Sequence, residues 1–285
     1  MSLLLHDEHR IVLGHDQVML AVARRELTRR GMKRHVLAEQ VLPNNAAGGE
    51  MSASEMPWHG SLNALKALLP GLAPRNSHAT VTLSNHFVRY ALIPWSEALS
   101  NDREEMAFAR HLFREMFGSD ADSWELRINH NKAGMAQLAC AVDTRLLDEL
   151  RGLFGRARIR LNSIQPHLMA AYNSCSNLLH GRSAWLALPE PGNLCLALLR
   201  DGQWCWVRVI RTGAGWRDEL PLLLEREEFL ANADATINEV FLWFPDQRDD
   251  VLPESGRWQF RYLPPPHLSG PVAGQDKQFE TQMNG

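Results

Sequence analysis

The chain has 285 residues, 45% of them hydrophobic and 22% charged, enough to bury the core of one large or two medium domains. A formal net charge of -3 and a pI near 6.5 exclude a global pull toward nucleic acid or membrane, so any such contact needs a local patch. No apolar run reaches the ~18–20 residues of a membrane-spanning helix, and His6, Asp7, Glu8, His9 and Arg10 interrupt the stretch where a signal peptide would be apolar, so the expected compartment is the cytoplasm.

The elements begin with three strand-like segments at 10–14, 17–24 and 34–42, the first two separated by a turn at Gly14, His15 and Asp16. A segment rich in Asn, Ala, Gly and Ser follows at 43–57 and is expected to be mobile. Ser61 is read as the cap of a short helix at 62–69, and 79–83 and 87–93 as a strand pair turning at Ser84-Asn85. Met106, Ala109, Leu112, Phe113, Met116 and Phe117 recur at helical spacing and predict an amphipathic helix over 103–117. Next come a strand pair at 124–128 and 135–142, a helix from Asp143 to Phe154 and a strand at 158–163. Pro166 is placed as the first residue of a helix that carries Leu168, Ala171, Tyr172, Cys175 and Leu179 on one face.

The later part reads as a strand from Arg182, a break at Pro189–Pro191, and a hairpin closing on Asp201-Gly202. Simple register from that turn pairs Leu198 with Cys205, Leu196 with Val207 and Leu194 with Val209 on one face. On the other it pairs Leu199 with Trp204, Ala197 with Trp206 and Cys195 with Arg208. A helix at about 220–230 with Pro221 in its first turn, a strand at 238–244 and a strand at 257–263 complete the order, and the polar tail beyond Pro264 is expected to be disordered. This alternation predicts a mixed α/β protein with a first lobe at 1–165, a smaller second lobe with its linking helix at 166–263, and a tail at 264–285.

Candidate chemistry is sparse. Cys140, Cys175, Cys195 and Cys205 have no metal or redox spacing and read as reduced core residues. His6-Asp7-Glu8-His9 has ligand-type side chains, but adjacent ligands on a terminus converge poorly, and a solvated terminus is the simpler reading. No H-E-x-x-H, G-x-S-x-G or P-loop pattern is present, and His130 and His167 sit near element ends, where histidines cap or pack. Arg24, Arg25, Arg29, Arg30, Lys33 and Arg34 form either a solvated loop or a peripheral contact with anionic lipid heads or an acidic partner; without interleaved aromatics they do not suit nucleic acid. Trp204 and Trp206 are placed on one hairpin face, beneath a helix or as a docking surface, and Trp95 follows Pro94 at a strand end.

Two strands joined by a tight turn, a third strand, a helix, and a second half that reopens with a hairpin form the outline of the actin-like ATPase superfamily. Within it, Phe87-Val88-Arg89-Tyr90-Ala91-Leu92-Ile93-Pro94-Trp95, Phe108-Ala109-Arg110 and Trp124-Glu125 resemble the cytoplasmic assembly proteins of type IV pili and type II secretion, PilM and secretion protein L. The resemblance implies an actin-like, ribonuclease H-like fold of two lobes with mixed sheets and a reduced second lobe. It also implies magnesium and nucleotide positions, which this chain alters. Val12-Leu13-Gly14 keeps the glycine of the first phosphate turn and lacks its acid; Glu190-Pro191-Gly192 stands at the second turn, where proline removes an amide donor; Phe244-Pro245-Asp246 replaces the glycine pair beside adenine. Gly14, Asp16, Glu190 and Gly192 are therefore degenerate positions, and no cofactor is expected; the alternative is a functional ATP-binding and Mg-binding protein whose lobes close on nucleotide. A third reading is a small-molecule enzyme whose residues converge only in three dimensions. The expected role is a non-catalytic scaffold for protein partners of a pilus or secretion assembly at the inner face of the inner membrane. Phe87, Arg89, Trp95, Trp204 and Trp206 are its candidate partner-binding residues, since relatives receive a short segment of a membrane-spanning partner near the strand that carries Phe87 to Trp95.

Overall fold

The computed structural model of the chain describes residues 7–28, 31–43, 56–72, 77–99, 101–232, 237–243 and 255–263, with backbone alone over 23–39. The expectations for the loop at 43–57, apart from its ends, for Arg29, Arg30, Phe244-Pro245-Asp246 and for the tail beyond 263 lie outside the described residues.

One compact unit runs up to Phe87 and resumes over Arg145–His167; the other holds Val88–Thr144 and the described residues from Leu168 onward. The expected first lobe at 1–165 is thus split, with 88–144 grouped with the later part of the chain. The physical reason is that the strand after Phe87 lies alongside a late strand, and its Tyr90 is fully buried close to Cys195.

In the first unit, strands β1 (Asp7–Leu13), β2 (Gln17–Thr28) and β3 (Gly31–Pro43) form an antiparallel meander, and β4 (His78–Leu83) and β8 (Arg160–Pro166) extend it in parallel, in the order β3-β2-β1-β4-β8. Ile11, Leu13, Val18 and Leu20 alternate inward, as a half-buried strand requires. Helix α1 (His59–Leu68) buries Leu62, Leu65 and Leu68, and α3 (Thr144–Ala157) buries Leu146, Leu147, Leu150, Leu153 and Phe154. Helix α1 begins three residues earlier than expected, so Ser61 lies inside it and caps nothing. His9 is 2% exposed within β1, which removes it from any solvated terminus. Arg24 and Arg25 fall on β2 and Lys33 and Arg34 on β3, with Arg25 opposite Arg34, so the basic run is carried mainly by paired strands and not by a loop.

The second unit has two sheets. A small one, β5-β7-β6, joins β5 (Val88–Ile93), β7 (Gln137–Asp143) and β6 (Trp124–Asn129) in antiparallel register. Helix α2 (Asp102–Phe117) packs Ala109 and Phe113 on it, against Ala91, Ile93, Leu126, Ile128, Ala139 and Ala141. The expected pairing of 79–83 with 87–93 does not form: β4 lies between β1 and β8, β5 lies beside β7, and the polar Ser84-Asn85 segment carries the chain between sheets. The larger sheet has the order β11-β10-β9-β12-β13, from β9 (Ala184–Glu190), β10 (Asn193–Arg200), β11 (Gln203–Arg211), β12 (Glu239–Leu242) and β13 (Gln259–Tyr262). Every residue of β10 from Asn193 to Leu199 is buried, the mark of a strand covered on both faces. Helix α6 (Trp216–Leu230) covers one face through Leu220 and Leu224 against Leu194, Leu196 and Leu198. It starts earlier than expected, so Pro221 lies inside it. Pro166 ends β8, and the predicted single helix divides at Cys175 into α4 (His167–Ser174) and α5 (Ser176–Leu179).

Candidate functional site

The first candidate position is the β1–β2 turn. Gly14 N donates to Gln17 O at 2.9 Å, which closes the turn. A Cβ at Gly14 would stand 2.6 Å from that same carbonyl oxygen, so the glycine serves the turn itself. From α1, the fully buried Ser61 donates its Oγ hydrogen to Gly14 O at 2.6 Å. The His15 ring stacks on His86 at 4.6 Å and meets Phe87 edge-on at 6.4 Å. Asp16 is half-buried, with Oδ1 3.5 Å from the position of a Gly14 Cβ. The turn is thus closed by an internally bonded glycine and carries the His15 ring, with Val12 where the resemblance implies a carboxylate.

The second position is the β9–β10 turn. The expected break at Pro189–Pro191 is instead a continuous hairpin: Pro189 pairs with Leu194, Glu190 with Asn193, and Pro191-Gly192 makes the two-residue turn, with Gly192 at φ +81°. Proline then glycine of positive φ is the combination for a type II turn, and it leaves one amide in the loop. Gly192 O accepts from Thr212 N at 3.1 Å, which fastens the turn to the end of β11. Arg89 on β5 lies within electrostatic reach of Arg211 on β11; desolvation first, and then that like charge, lower the Arg89 pKa. Arg211 was not singled out from sequence, although following the hairpin to its open end, opposite Asn193, reaches it. Glu190 is half-buried, and its charge helps to raise the Tyr90 and Cys195 pKa values, for which burial is the first cause.

The aromatic candidates separate. In the Asp201-Gly202 hairpin both turn residues have positive φ, 51° and 76°, and Leu199 pairs with Trp204 as expected. An irregularity between Leu198 and Leu199 then shifts the register, so that Leu198 pairs with Trp206, Ala197 with Val207, Leu196 with Arg208 and Cys195 with Val209. The extra residue re-aims the strand. Trp204, 5% exposed, packs on Tyr172 of α4 at 4.7 Å, while Trp206 joins the core beneath α6 and donates Nε1 to Glu227 Oε2 at 3.1 Å. The two indoles therefore do not share a face. Phe87 is 6% exposed, so Phe87 and Trp204 serve packing and present no accessible surface; Arg89 and Trp95, the latter 40% exposed, face solvent.

Glu227 escaped the sequence reading. It is fully buried and accepts from Trp206 and from Arg226 Nη2 at 2.9 Å, with Arg208 Nη1 3.5 Å away. Within Glu225-Arg226-Glu227-Glu228 it looks like part of a solvated helix face. The four cysteines are free. Burial pushes Cys140 up to about 12 and Cys175 to about 11, and raises Cys195 and Cys205, so these thiols stay protonated and unreactive near neutrality. No described helix is long and apolar enough to cross a membrane.

Meander, helix and parallel strands, occurring twice with one strand order, define the fold as that of the actin-like ATPase superfamily. No protein-family model and no curated protein matches the sequence. Among solved structures, the chain is similar to the cytoplasmic domain of EpsL, an inner membrane component of the type II secretion system of Vibrio cholerae, with TM-score 0.52, 10% identity, and 93% of this chain and 91% of that one covered. It is also similar to a chain of the PilM-PilN type IV pilus biogenesis complex, with TM-score 0.54, 14% identity and coverage of 82% and 80%. A third similar structure is a Bacteroides thetaiotaomicron protein with an actin-like ATPase fold and unknown function, with TM-score 0.51, 14% identity and coverage of 86% and 83%.

Proposed function

We propose that this chain is a non-catalytic actin-like adaptor that binds a protein partner in a type IV pilus or type II secretion-like assembly at the inner membrane. The observation that carries this reading is the β1–β2 turn, where Val12 stands two residues before the glycine in place of an acid and the Gly14 amide bonds Gln17 O. Phosphoryl transfer depends almost wholly on positioned charge and metal, so this turn leaves little with which to catalyse it. The Pro191-Gly192 turn supports the same conclusion, because proline supplies no amide to phosphate. The similarity to the EpsL cytoplasmic domain and to PilM supplies the setting. Arg89, near the start of β5, and Trp95, two residues past its end, are exposed and are the partner-facing residues of the five candidates.

Two measurements test the proposal. Thermal unfolding is expected to be unchanged by millimolar Mg-ATP, whereas a nucleotide at about 100 times its Kd would add about 2.7 kcal/mol and raise the midpoint. Such a rise overturns the reading in favour of a nucleotide-binding protein. Fluorescence anisotropy with a labelled cytoplasmic segment of a membrane-spanning secretion or pilus protein from the same cell is expected to show saturable binding that Arg89→Glu and Trp95→Ala weaken.

A further inference from the structure

Helix α2 opens with an unusual convergence. Asn101 accepts from Arg103 N and Glu104 N, both at 3.1 Å, and this cap fixes the first helical turn. Asp102 and Glu105, three residues apart, therefore lie on one side of it. The β6–β7 connection brings His130 to the same place: its Nδ1 is 3.2 Å from Glu105 Oε2, and Asn131 Nδ2 donates to Ala136 O at 3.2 Å, which closes the connection. One ligand atom from each of Asp102, Glu105 and His130 falls within 4.8 Å of the others.

Acidic residues at a helix N-terminus have an ordinary explanation in the helix dipole, and by themselves they indicate no ligand. A further side chain does. Gln137, the first residue of β7, is 7% exposed and donates Nε2 to Glu105 Oε1 at 3.2 Å, while its own buried Oε1 accepts no hydrogen bond. A buried carbonyl oxygen with no donor costs stability unless something electropositive answers it. Here that oxygen belongs to the amide held against the carboxylate at the centre of the cluster.

We propose that Asp102, Glu105 and His130, with Gln137 beside them, form a binding site for a divalent transition-metal ion, best matched by zinc. Two carboxylates and one neutral imidazole supply charge and a nitrogen donor, which favours zinc over the all-oxygen preference of magnesium and calcium. Tetrahedral zinc with bonds of about 2.0–2.2 Å sets its ligand atoms about 3.3 Å apart, close to the His130–Glu105 separation. Gln137 orients Glu105 through its Nε2. The ion would clamp the start of α2 to the β6–β7 connection. This site is independent of the adaptor reading.

The test is isothermal titration of the chelator-treated full chain with Zn²⁺, together with Co²⁺ absorption spectra and thermal unfolding. One Zn²⁺ per chain is expected, with a raised midpoint and a Co²⁺ d–d band that Zn²⁺ displaces. His130→Ala and Glu105→Gln are each expected to weaken binding at least about tenfold and to remove the thermal shift. Asp102 is exposed and outside the cap, so Asp102→Asn tests the same site without disturbing the fold and is expected to weaken binding as well. On the same helix, His111 lies 3.3 Å from Glu115 in an exposed pair, and His111→Ala should leave binding unchanged. Absence of stoichiometric binding, binding that survives both His130→Ala and Asp102→Asn, or binding lost in His111→Ala would each overturn the site.

Discussion

The two five-stranded sheets repeat one arrangement, a three-strand antiparallel meander, a crossover helix and two parallel strands, but they are fastened by different chemistry. In the sheet built on β1, the helix is tied to the first turn by a hydroxyl, Ser61 to Gly14 O. In the sheet built on β9, the helix is tied to the third strand by a carboxylate, Glu227 to Trp206. The first turn is made by a glycine that no side chain can replace without a backbone collision, the second by proline and a glycine of positive φ. Topology follows from which faces are apolar, and that pattern survives in both halves. The fastenings are local, so they can diverge, and at both turns they now serve the fold.

The sharpest way to break the second fastening is Glu227→Ala. It removes the acceptor of a buried indole N–H and the partner of two arginines, and a loss of about 3 kcal/mol is expected in urea unfolding, toward the low end for a broken buried pair because both arginines reach solvent. Glu227→Gln keeps an acceptor for Trp206 and should lose only about 1–2 kcal/mol. For the turns, Gly14→Ala forces a Cβ to within 2.6 Å of Gln17 O and is expected to cost about 2 kcal/mol. Gly192→Ala puts a side chain on a residue with φ +81° and should cost about 1 kcal/mol. Equal losses at the two glycines would mean that the turns are made alike.

These fastenings also show what could be read from the chain and what could not. Asp201-Gly202 announced its hairpin because few residues accept positive φ at two successive positions. The register beyond it failed at the irregularity by Leu198, which no turn residue encodes, and this placed Trp204 and Trp206 on opposite faces. Ser84-Asn85 has the composition of a hairpin turn, but its flanking strands find better partners far away, β4 with β1 and β8, β5 with β7. Ser61 resembled a cap because a hydroxyl before an apolar run usually is one; its bond to Gly14 spans 47 residues and leaves no local trace. Of the altered turns, Gly14 and Gly192 were legible as positions. Glu227 and the gathering of Asp102, Glu105, His130 and Gln137 were not, since each residue looks solvated until the elements around it fold.

A further expected effect separates the units by pH. All four cysteines lie in the second unit and none in the first, and burial raises each of them, Cys140 from an ordinary 9.0 to about 12. A thiol that stays protonated in the fold but ionises when unfolded contributes its full share below about pH 9. That share falls by up to about 1.4 kcal/mol per pH unit for each fully affected thiol as pH rises toward the folded value. Tyr90, raised by the same burial, adds a loss of the same sign above its ordinary 10.0. Eight of the nine tryptophans belong to the second unit, so tryptophan fluorescence during urea unfolding reads that unit almost alone. Its midpoint should fall steadily from about pH 9 upward, and Cys140→Ala should flatten the fall by the share of one thiol. An unchanged slope in Cys140→Ala would mean that this thiol ionises as readily in the fold as out of it, and the contrast between a thiol-free unit and a thiol-bearing one would carry no weight in stability.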